Sequence, residues 1–145
     1  MTAAARAVVD ANVRATERLR ALVGTLDEAA LARPVGGGWT VATVLAHLAF
    51  WDRRQREALR EYAEDGAMTD EDHHVNAALE PLLLALPPRA SADQALAAAT
   101  AVDAAIAELT PRATDAVLAG PHAYVMRRSA HRDEHIQQIE QALSV

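Results

Sequence analysis

The stretch Ser91-Ala92-Asp93-Gln94-Ala95-Leu96-Ala97-Ala98-Ala99-Thr100-Ala101-Val102-Asp103-Ala104-Ala105-Ile106-Ala107-Glu108-Leu109 carries Leu96, Ala99, Val102, Ile106 and Leu109 at alternating three- and four-residue steps. That spacing is the seam of a helix packed among other helices. Its opening, Ser91 to Gln94, has the form of a capping box, and Pro111 ends it. Downstream, a loop through Gly120-Pro121 leads to a last helix over about Tyr124 to Leu143, with Ile136, Ile139 and Leu143 as its apolar stripe.

Upstream the pattern repeats. From Thr2 to about Gly24, Val9, Val13, Leu19, Leu22 and Val23 recur at helical spacing and predict a first long helix. Asp27 caps a short turn to Arg33, closed by Pro34 and the triple glycine Gly36-Gly37-Gly38. Thr40 is the expected N-cap of a second long helix, with Val41, Val44, Leu45, Leu48, Trp51 and Leu59 on one stripe. Asp65-Gly66 breaks it. Residues 65–90 are less regular, with a short helix expected up to Leu86 and Pro87-Pro88 closing it. Four long helices with no credible strand imply an all-α chain. The expected fold is one domain over residues 1–145, a four-helix bundle with a long crossover between helices two and three.

Composition narrows the function. A net charge of −6 argues against a nucleic-acid partner, which would require a basic stripe. No apolar run is long enough for a membrane span, and Met1 to Arg6 does not resemble a secretion leader, so a cytoplasmic location is expected. The fourteen basic residues are all Arg, a composition bias rather than a functional signal. With no cysteine, any metal must be held by His, Asp or Glu.

The chemistry points to histidine. His131 and His135, four apart in the last helix, place two imidazoles on one face about one turn apart, a spacing that suits one transition metal. By itself the pair is a weak signal, and a solvated or hydrogen-bonded helix face is its commoner explanation. His47, between Leu45 and Leu48, adds a third imidazole on an inward helix face, and a shared metal would satisfy all three. Three protein ligands leave coordination positions for water or substrate; Zn²⁺ is the default ion, and Ni²⁺ or Fe²⁺ suits imidazoles as well. The HExxH protease motif is excluded, because Arg132 stands where its general-base Glu belongs. Thr43 and Trp51 flank His47 by helical position and are candidate pocket residues, Trp51 as a wall. Arg128, three before His131, is a candidate for holding an anionic group, set against a surface arginine paired with nearby acids. Tyr124 and Asn76 are read as packing or capping residues, and His73-His74 as part of a solvated turn.

Gly37-Gly38-Trp39-Thr40-Val41-Ala42-Thr43-Val44-Leu45-Ala46-His47-Leu48, the middle segment with Asp72 and Asn76, and His131-x-x-x-His135 together resemble the DinB-like superfamily over nearly the whole chain. That group includes thiol-dependent transferases and mycothiol-dependent maleylpyruvate isomerases. The resemblance implies a four-helix bundle with a long crossover, a divalent metal on three residues at these positions, and a homodimer. It also implies a metal that binds a low-molecular-weight thiol (mycothiol, bacillithiol or glutathione) as thiolate, for transfer to a small electrophile. In the isomerase branch the position matching His131 is usually Glu, so His131 implies the three-histidine branch instead. The other reading is a non-enzymatic bundle whose metal is structural and which acts by self-association or partner binding.

Overall fold

A computed structural model describes residues 1–144; Val145, the last residue of the expected domain, lies outside them. Among the described residues the chain is mostly helical: α1 (Ala3–Thr25), α2 (Glu28–Leu31), α3 (Val41–Asp65), α4 (Val75–Leu84), α5 (Pro88–Glu108), α6 (Pro111–Ala119) and α7 (Arg128–Leu143). The longest four, α1, α3, α5 and α7, pack on one another. The most extensive contact is α3 on α5, and α7 lies against both α1 and α3. Val41, Leu45 and Leu48 of α3 meet Ala92, Ala95 and Ala99 of α5 in one core cluster, large residues against small, with Ile136 and Ile139 of α7 closing it. A second cluster gathers Leu59, Val102, Ile106, Val117 and Met126.

Five sequence expectations are corrected. No strand was expected, but Pro34–Gly36 (β1) pairs antiparallel with Trp39–Thr40 (β2) around the triple glycine. Gly36, Gly37 and Gly38 hold φ of 102°, 61° and 82°, a left-handed run that only glycine sustains at little cost. Strands this short carry no alternation to read. The seam helix starts one turn earlier than Ser91, at Pro88; a proline fits the first helical position because its missing N–H needs no partner there. Ser91 is therefore no cap but a buried helical residue, donating to the Pro87 carbonyl at 3.3 Å. Pro111 ends α5 and also opens α6, where Thr110 accepts from the Ala113 N–H at 3.2 Å. The last helix begins at Arg128, preceded by a 3₁₀ turn at Ala123–Val125. Finally, Val13 is 49% exposed, and α1 turns Asn12 and Thr16 inward beside Leu19 and Val23.

The segment between α3 and α5 carries α4, and Gly66, in the left-handed region, stops α3. No described helix is long and apolar enough to cross a membrane.

Candidate metal centre

The start of α3 is fixed by a capping box: the Thr40 hydroxyl accepts from the Thr43 N–H at 3.3 Å, and the Thr43 hydroxyl accepts from the Thr40 N–H at 3.4 Å. One turn beyond Thr43, His47 is buried. From α7, His131 and His135 reach the same place, both partly buried. Nε2 of His47 and Nε2 of His131 are 3.3 Å apart. His135 completes the group, its ring centroid 5.0 Å from His47 and 4.8 Å from His131. One ligand atom from each lies within 4.8 Å of the others. Two nitrogens on one tetrahedral ion, at about 2.0–2.1 Å each, would be roughly 3.3–3.4 Å apart, so the donor set fits a small divalent cation.

Below the imidazoles lies a buried charge network. Asp52, fully buried in α3, accepts from Arg128 Nε at 2.8 Å and from Arg132 Nε at 2.9 Å. Arg132, also fully buried, donates through Nη1 to both carboxylate oxygens of Asp103 at 3.0 and 3.1 Å and to the Thr16 hydroxyl at 2.8 Å. Its Nη2 donates to the Ala99 carbonyl at 3.3 Å. Asn12 accepts from the Ser129 N–H and donates to the Met126 carbonyl, pinning α1 to the start of α7. Two guanidinium groups and two carboxylates balance in charge. Among the described residues, no buried side-chain polar atom lacks a partner. Arg128 is thus not the surface arginine weighed from the sequence: it is 5% exposed and donates through Nη2 to His131 Nδ1 at 2.9 Å.

A cavity of about 840 Å³ opens beside His47 and His131, lined also by Trp51, Asn76, Tyr124, Arg127, Arg128 and Glu134. Thr43 lies outside this lining. Trp39 and Trp51 flank His47, with ring centroids 5.3 and 6.3 Å from it. Each indole N–H is held by α4: Trp39 donates to Glu80 at 2.7 Å and Trp51 to Asn76 at 3.0 Å. Asn76 and Glu80 are four residues apart, so one face of a short helix braces both rings. Asp72, His73 and His74 also cluster, but all three are exposed, as expected for a solvated turn.

Residues 13–132 match the family model of the mycothiol maleylpyruvate isomerase N-terminal domain. The chain belongs to this family. No curated protein and no solved structure matches it. The mycothiol maleylpyruvate isomerase N-terminal domain is a DinB-like superfamily domain, and metal binding is typical of that superfamily.

In this family member the imidazoles of His47 and His131 are electrostatically prepared to stay neutral. Burial, then His135 and Arg128, lowers the His47 pKa to about 4; burial, then Arg128 and the neighbouring histidines, lowers that of His131 to about 3. Only neutral imidazole ligates. The sign follows from linkage: between the ordinary value of 6.5 and these lowered values the unfolded chain binds more protons than the folded one. The stability contribution is therefore fully present above pH 6.5. It is lost progressively as pH falls below 6.5, and is gone once pH has passed below about 4 for His47 and about 3 for His131. At pH 5, above the main carboxylate range, metal-free protein should have lost about 1–2 kcal/mol per histidine after discounting for solvent screening. Urea unfolding of chelator-treated protein at pH 7.5 and 5 measures this; equal midpoints would refute it.

Asp52, Arg132 and Glu80 escaped sequence reasoning. Asp52 was legible in principle, as a charged residue four after Leu48 and seven after Leu45 on an otherwise apolar stripe. Glu80 carried no such signal.

Proposed function

We propose that this chain is a divalent-metal-dependent enzyme that joins a low-molecular-weight thiol to a small electrophile, with His47, His131 and His135 as the metal ligands. The observation carrying this reading is the 3.3 Å approach of the His47 and His131 Nε2 atoms at the wall of a cavity large enough for a thiol cosubstrate. Mycothiol, bacillithiol and glutathione are the candidate thiols, the first favoured by the family's name. Zn²⁺ or Ni²⁺ is the expected ion, with Fe²⁺ as a third choice. A cation there would supply one thing, a lowered thiol pKa that makes sulfur nucleophilic at neutral pH.

The chain's own residues do the rest. Trp51, braced by Asn76, forms a rigid apolar wall, and Trp39 shields His47 on its other side. Tyr124 lines the cavity with a hydroxyl whose pKa is raised by burial and then by Glu71, so it remains a donor at neutral pH. Among the described residues no fourth His, Asp or Glu joins the three imidazoles, which favours an open site over the sealed structural ion of a non-enzymatic bundle. The same reading takes the chain as one domain whose α1, α3, α5 and α7 form a four-helix bundle. It also includes a homodimer and a cytoplasmic setting, where small thiols are kept reduced.

Cobalt substitution tests it. Adding mycothiol, bacillithiol or glutathione to the Co²⁺ protein should perturb its visible spectrum. A spectrum unchanged by all three would remove the thiol from the proposal.

A further inference from the structure

Helix α7 begins with the wrong charge. Its N-cap is Arg127 and its first residue is Arg128, with no acid in the first turn, although a helix start carries partial positive charge and favours an anion. Arg128 is answered, because its Nε donates to the buried Asp52 at 2.8 Å. Arg127 is not. It is exposed, and among the described residues its side chain makes no hydrogen bond or ion pair; only its backbone N–H is bonded, to the carbonyls of Ala123 and Tyr124. The acids around it are taken or distant. Asp115, which shares a neighbouring cleft with Arg127, accepts from the Thr2 N–H and hydroxyl at 2.8 and 2.9 Å and lies 3.5 Å from the N-terminal amine. Glu71, in the lining of the metal-centre cavity, accepts from Gln55 at 2.6 Å. Glu134 lines that cavity too, but it stands seven residues further along α7, about 10 Å up the helix axis.

Arg127 lines the same cavity of about 840 Å³ as His47 and His131. An uncompensated cation at the positive end of a helix, on the wall of a cavity, is stabilised only by an anion from outside the chain. We propose that Arg127 determines the specificity of this cavity, receiving a carboxylate or similar oxyanion of the molecule that occupies it, an inference that rests on reading the cavity as the ligand site of the metal centre. A guanidinium binds such a group through two parallel hydrogen bonds, and the same anion answers the charge of the helix end. Arg127 precedes His131 by four residues, about 6 Å along the axis, so one small molecule can place its carboxylate on Arg127 and its reacting centre beside the imidazoles. The carboxylate belongs either to the thiol or to the electrophile.

Succinate, with succinamide as its uncharged counterpart, probes the receptor on the full-length chain, read by the backbone amide shifts of Tyr124 and Ala130 on the cavity wall. Succinate should shift them saturably in the native protein, succinamide should not, and Arg127→Met should weaken succinate about tenfold, the scale of one charge-assisted hydrogen bond. Equal succinate affinity in both proteins, succinamide binding as tightly as succinate, or no saturable shift overturns the receptor. Methionine keeps the apolar stem, so Arg127→Met should unfold in urea no earlier than the native chain. An earlier midpoint makes Arg127 a structural partner and overturns the proposal as well. The Co²⁺ protein then locates the carboxylate, because glutathione carries carboxylates and mycothiol has none. Arg127→Met that weakens glutathione and spares mycothiol places the group on the thiol; both thiols spared, with the succinate difference intact, places it on the electrophile. Mycothiol weakened as much as glutathione overturns the assignment. A native chain that binds no divalent metal yet keeps the Arg127-dependent succinate shift sinks the metal centre and upholds the receptor.

Discussion

Replacing His131 with alanine should take bound divalent metal from stoichiometric to background, and His47→Ala and His135→Ala should do the same. Two imidazoles would remain in each variant. Structural zinc on a full ligand set is worth about 10–16 kcal/mol, so losing one ligand of three removes several kcal/mol, roughly a thousandfold or more in affinity. The comparison is informative because the ligands come from different helices, His47 from α3 and the pair from α7. A site that survived without His47 would belong to α7 alone. Metal analysis of each purified variant, with circular dichroism to show retained helix, makes the measurement. Full occupancy in any one of the three would sink the site as drawn.

The second large effect concerns stability rather than metal. Asp52→Ala should cost about 3–5 kcal/mol, because it leaves Arg128 and Arg132 buried with only Asp103 to answer two positive charges. Against a typical domain stability of about 5–15 kcal/mol, that loss removes a large fraction of the total. Arg18→Ala is the control. Its ion pair with Asp133 is short, 2.7 Å, but both side chains are about half exposed, and such pairs contribute about 0–1 kcal/mol. Denaturant unfolding of the two variants should separate them clearly. A loss below about 1 kcal/mol for Asp52→Ala would mean that water reaches the network and that its buried appearance misleads.

What the sequence conveyed and what it hid divide along physical lines. Helix positions follow from periodicity and end chemistry, so Thr40, Asp27 and Gly66 could be placed from residue type alone. The three imidazoles could be gathered because a buried histidine needs a partner and no cysteine competes. Proline was harder, since it closes one helix and opens the next with the same ring: Pro88 misled the reading at the start of α5, and Pro111, rightly read as ending α5, hid the start of α6. Arg128 was misjudged because an arginine's burial depends on a partner across the fold. Asp52 lies 76 residues earlier in the chain, and nothing local to Arg128 announces it.

Arg132 also bears on the order in which the chain can become itself. Its partners lie 120, 80 and 29 residues upstream, at Asn12, Asp52 and Asp103, each on a different helix. A growing polypeptide emerges from its N-terminus, so α1, α3 and α5 are all made before the cation that joins them. Until then two carboxylates destined for the interior have no counter-charge, and closing the other helices around them is opposed. Contacts of such long sequence separation also form slowly. The expectation is that these helices do not close around the two carboxylates until α7 is synthesised, and that a product truncated before Arg128 lacks the groups that let the rest close.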